Sequence, residues 1–155
     1  MQHLAIAILL SIGFSTIAHA NDSNPLPEPT PNGTRHASAE SLYNRGLALS
    51  KTGDFAGAEA AYRQATTLNG KLPEAWNGLG HALKKQKRYT EALAAYDKAL
   101  RLRPNFALAM QYLGELYVET GEIEKARELV RRLRPIDRQN ADQLELAIFV
   151  RSSSW

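Results

Sequence analysis

The residues in this chain whose types and spacing come nearest to chemistry are His81, Lys84 and Lys85. They stand one helical turn apart and could together meet an acidic side chain or a C-terminal carboxylate. Asn77, one turn earlier, adds an amide. A simpler arrangement competes with this one: Lys84 and Lys85 pair with Glu115 and Glu119 on a neighbouring helix, which leaves no free basic site. Little else in the sequence reads as a reacting group. There is no cysteine, so disulfides, thiolate metal sites and a cysteine nucleophile are excluded. After the first twenty residues the histidines are His36 and His81, which do not make a zinc site. No phosphate-binding glycine loop, H-E-x-x-H, G-x-S-x-G or acidic calcium loop occurs. The expectation is therefore of no catalytic residue, no metal ligand and no cofactor.

The candidate residues lie in the stretch 73–104, which is patterned as two helices. Trp76, Leu79, Gly80 and Leu83 share one helical face behind Pro73, and Trp76 is read as core. After a polar turn, Ala92, Tyr96, Ala99 and Leu102 recur at spacings of 4, 3 and 3 until Pro104 stops the run. Joined by about three residues, two such helices pack antiparallel. Gly80, Ala92 and Ala99 mark where the backbones come closest. No segment alternates polar and apolar residues, which favours an all-helical chain.

A shift of 34 residues either way recovers the unit. Upstream it falls on Leu42, Gly46, Leu49, Gly53, Phe55, Ala58, Tyr62, Ala65 and Leu68. Downstream it falls on Met110, Leu113, Gly114, Tyr117, Gly121, Ile123, Ala126, Val130 and Leu133. The pattern resembles the tetratricopeptide repeat family, most closely in Trp76-Asn77-Gly78-Leu79-Gly80 with Ala92, Tyr96, Ala99 and Pro104. That resemblance implies an all-α fold, an α–α superhelix or right-handed solenoid, over 39–138. Its three hairpins would be 39–72, 73–106 and 107–138, followed by a capping helix at 139–150 with Asn140 a possible N-cap and a disordered tail at 151–155. It also implies a concave surface lined by the first helix of each hairpin, for which the expected peptide-binding residues are Tyr43, Asn44, Leu47, Asn77, His81, Lys84, Lys85, Gln111, Tyr112 and Glu115. Some members of the family clamp C-terminal carboxylates with lysine, arginine and asparagine; the positions here do not reproduce that set.

Residues 1–20 carry an apolar run that ends in Ala18-His19-Ala20, the pattern of an export signal cleaved after Ala20. The run is shorter than the roughly 20 apolar residues of a membrane span, so an uncleaved anchor is the alternative. Residues 21–38, with prolines at alternate positions from Pro25 to Pro31, read as an extended linker. A formal charge of +3 gives no reason to expect a nucleic-acid partner. The expected function is a periplasmic or secreted scaffold that binds a peptide segment of an envelope protein, with no small-molecule substrate and with membrane contact only if residues 1–20 stay attached. A self-associating assembly component, stacking through its repeat ends, is the rival.

Overall fold

A computed structural model of the protein describes residues 37–153; the expected export signal, most of the linker and Trp155 lie outside them. The described residues form seven helices: α1 (Ala39–Lys51), α2 (Phe55–Leu68), α3 (Pro73–Lys85), α4 (Tyr89–Leu102), α5 (Ala107–Thr120), α6 (Ile123–Leu133) and α7 (Arg138–Ser152). None of them is long and apolar enough to cross a membrane. Three antiparallel pairs, α1–α2, α3–α4 and α5–α6, stack in sequence. The first helices also pack on one another, α1 on α3, α3 on α5 and α5 on α7, whereas α2, α4 and α6 make no such contact. The inner layer is therefore the closer one, and the array curves around it.

Helix starts follow local chemistry. Ser38 caps α1 by accepting from the Ser41 amide at 3.1 Å, and Asp54 caps α2 by accepting from the Gly57 amide at 2.8 Å. Pro73 opens α3 at a position where a missing N–H costs nothing. Each hairpin turn holds one left-handed residue, and the three sit 34 residues apart: Gly53 (φ 84°), Lys87 (φ 61°) and Gly121 (φ 83°). The middle turn thus accepts a side chain where its neighbours use glycine.

The core repeats with the same period. Ala58, Tyr62 and Ala65 of α2 and Ala92, Tyr96 and Ala99 of α4 are all buried. In α6, Ala126, Val130 and Leu133 take those places. Glycines on the first helices admit the rings: a Cβ at Gly46 would lie 2.5 Å from the Tyr62 ring, and one at Gly80 would lie 2.7 Å from Tyr96. Trp76, expected in the core, is only half-buried. Its ring packs on the core edge while its indole N–H donates to the Gly70 carbonyl at 2.9 Å and so ties the hairpin to the preceding loop.

Two expectations change at the C-terminal end. Asp137, not Asn140, caps α7; as the extended residue just before the helix (φ −150°, ψ 95°) it accepts from the Asn140 amide at 3.1 Å. The helix begins at Arg138 and runs through Ser152, so residues 151 and 152 are helical where a disordered tail was expected. The capping helix buries Ala141, Leu144 and Ile148 and leaves Leu146 and Phe149 exposed.

Candidate functional site

The first helices bring five of the expected residues to one concave pocket of about 220 Å³: Tyr43 and Leu47 from α1, Asn77 and His81 from α3, and Tyr112 from α5. Helical spacing explains the convergence, since each pair on one helix is separated by four residues and points the same way. Leu108 of α5 closes one wall, and Ser50, Lys51 and Glu74 stand at the edge. The floor is Tyr62 of α2, a residue the repeat pattern assigns to the core. Its ring reaches the groove because Gly46 and Gly78 leave room on either side, a Cβ at Gly78 lying 2.6 Å from it. Two glycines facing one aromatic position was the sequence signal for this.

The pocket is aromatic and nearly uncharged. Tyr43 and Tyr62 pack with ring centroids 5.9 Å apart, and His81 stacks on Tyr112 at 5.1 Å. Burial pushes the phenols of Tyr43, Tyr62 and Tyr112 above their ordinary value, with Glu74 adding to the first and Glu115 to the third. Burial, then Lys84 and Lys85, pulls His81 down to about 4 against an opposing effect of Glu115. Between about pH 4 and 6.5 the unfolded chain therefore binds a proton that the folded chain refuses, so this group makes stability rise with pH across that window. Ring titration by NMR is expected to find a midpoint near 4; a midpoint above 6 would show the ring to be solvated.

Asn77 is 5% exposed, its side-chain amide makes no hydrogen bond among the described residues, and its Oδ1 is buried without a partner. An amide so placed is an unspent donor and acceptor at the groove wall.

Five expected residues lie elsewhere. Lys84 is 5% exposed; its Nζ donates to Glu115 at 2.6 Å, lies 3.4 Å from Glu119 and sits over the Tyr112 ring. Gln111 donates to Gln143 of α7 at 2.8 Å and to Glu115 at 3.3 Å, so Lys84, Glu115 and Gln111 bind α3, α5 and α7 to one another. Asn44 and Lys85 are exposed outside the pocket. Of the two arrangements expected here, the pairing with Glu115 and Glu119 forms at Lys84 and leaves no free basic pair; Lys85 is exposed and takes no part in it. In the basic run beyond them Lys87 is exposed, and Gln86 and Arg88 both bond Glu59 of the first hairpin. Burial works to raise the Glu59 carboxyl, but bonds from Arg63, Gln86 and Arg88 outweigh it and hold it below the usual range.

Larger clefts open elsewhere, about 600 Å³ between α6 and α7 and about 400 Å³ beside α4, α5 and α6. Arginines paired to glutamates rim the first, Arg131 to Glu128 and Arg134 to Glu145. Neither gathers rings around an unpartnered amide. Among the described residues no cluster of three metal-ligating side chains occurs.

Geometry and sequence meet in the comparison with known proteins. Tetratricopeptide repeat patterns match residues 39–72, 73–106 and 95–128, together more than half of the chain. The protein belongs to the tetratricopeptide repeat family. The third match is framed differently from the α5–α6 hairpin; it takes the end of α4, all of α5 and the start of α6, since the alternation of first and second helices can be read from either. In sequence the chain is similar to the TPR repeat-containing thioredoxin TTL4 of Arabidopsis thaliana, 33% identical over 89 residues, covering 57% of this chain and 13% of that protein. In structure it is similar to the TPR2B domain of yeast Sti1 in its pHsp70 complex, with a TM-score of 0.69, 21% identity and coverage of 76% of this chain and 98% of the other. It is likewise similar to the first TPR domain of Spaghetti (RPAP3) bound to the HSP90 peptide SRMEEVD, with a TM-score of 0.69, 18% identity and coverage of 76% and 94%.

Proposed function

We propose that this protein is a non-catalytic adaptor that holds an extended peptide segment of a partner protein in its concave groove. The observation that carries the reading is the gathering of Tyr43, Leu47, Leu108 and Tyr112 in one pocket that Asn77, with its unpartnered amide oxygen, also lines. An extended peptide needs donors and acceptors for its backbone and shallow apolar contacts for its side chains, and this wall offers both. The RPAP3 and Sti1 domains, which share the fold, were solved with peptide or chaperone partners. The export pattern at residues 1–20 supports a partner in the cell envelope or outside the cell.

The test begins with dodecapeptides selected from a randomised phage library on the full chain. Leu47→Ser with Leu108→Ser removes apolar wall from two half-exposed positions without opening the core. This variant should keep its helical circular dichroism and bind the selected peptides at least about tenfold more weakly. Equal affinity for both proteins would place the binding surface elsewhere.

A further inference from the structure

We infer that the residue this pocket takes from a partner is an uncharged aromatic side chain and that acidic side chains are excluded from it. The inference rests on the groove reading above and adds the chemistry of the ligand. Size is the first argument. At about 220 Å³ the pocket is smaller than the roughly 300–1,000 Å³ of small-molecule sites and has room for one large side chain. Shape and surface are the second: the lining holds two tilted ring pairs, Tyr43 with Tyr62 and His81 with Tyr112, and an entering ring adds further contacts of the same tilted kind.

Charge decides between an aromatic and an acidic ligand. The charged groups lining the pocket are Lys51 from α1 and Glu74 from α3, the latter already paired with Arg103; α2 and α5 contribute none. Lys84, which sits over the Tyr112 ring, is spent on Glu115 and Glu119. A carboxylate entering here would give up its water to face one exposed lysine, with a carboxylate at the same rim, and that exchange is unfavourable. An indole N–H or phenol O–H brings the donor that the Asn77 amide lacks while the rest of its ring stays apolar.

The same phage selection on the full chain tests this through the composition of the peptides. Tryptophan, tyrosine or phenylalanine should be enriched at one fixed position and aspartate and glutamate depleted around it. Replacing that aromatic with glutamate in a synthetic selected peptide should weaken binding by about tenfold or more. An acidic consensus whose binding is lost in the Leu47→Ser, Leu108→Ser variant would overturn the inference and leave the groove reading intact. Peptides indifferent to that variant, or no saturable binding at all, would overturn the groove reading and the inference with it.

Discussion

Tyr96→Ala is expected to destabilise the protein by about 3–5 kcal/mol, the usual cost of deleting a fully buried aromatic ring. Tyr96 is fully buried, lies directly beneath Gly80, and packs within the core that joins the second and third hairpins. In a repeat array each unit leans on its neighbours, so loss of the central ring weakens the contacts on both sides. Domains of this size hold only about 5–15 kcal/mol in total, and the variant should begin to unfold at low denaturant. Tyr96→Phe should behave in the opposite way. The Tyr96 hydroxyl is buried with no hydrogen-bond partner, so its removal relieves an unsatisfied polar group and is expected to be neutral or stabilising by about 1 kcal/mol. Urea titrations followed at 222 nm read both outcomes. An alanine variant with the parent's midpoint would show that the hairpins do not depend on this ring.

The second large effect is expected at Lys84. Lys84→Met keeps most of the apolar stem but leaves Glu115 and Glu119, one turn apart on α5, facing each other without their shared cation. Breaking a wholly buried pair costs about 3–5 kcal/mol. Here both carboxylates are a third to nearly half exposed and can recover water, so about 1–3 kcal/mol is expected. Lys85→Glu, on the exposed side of the same helix, should change stability by less than about 0.5 kcal/mol. The contrast between adjacent lysines separates a fold built around Lys84 from one that merely tolerates a basic run; equal effects at the two positions would contradict it.

Most of the fold was legible because it is written in short-range spacing. Leu79, Gly80, Ala92, Tyr96 and Ala99 reveal their roles through intervals of one helical turn, and the 34-residue period then fixes which helices are neighbours. The site was legible only in part. Membership of the inner stripe came from the resemblance to the repeat family, and of the residues it implied Tyr43, Leu47, Asn77, His81 and Tyr112 do line one pocket. Whether a residue on that stripe is available depends on what the next helix places opposite it, and helical phase says nothing about that distance. Lys84 and Lys85 look equivalent in the sequence, yet one is sealed against α5 and the other faces solvent. Tyr62 was hidden for the converse reason: its core spacing was correct and it is buried, but two glycines on facing helices leave room for its ring to form the floor of the groove. At α7 the helix starts at Arg138, so the cap is Asp137 and not Asn140; both residue types cap well, and the sequence alone does not choose between them.

The groove's role as a binding surface is tested most directly by the affinity of a phage-selected peptide for the full chain and for its Leu47→Ser, Leu108→Ser variant, with circular dichroism confirming that both are equally helical. A dissociation constant raised by at least about tenfold in the variant is the predicted result. Equal dissociation constants in two equally folded proteins would contradict it.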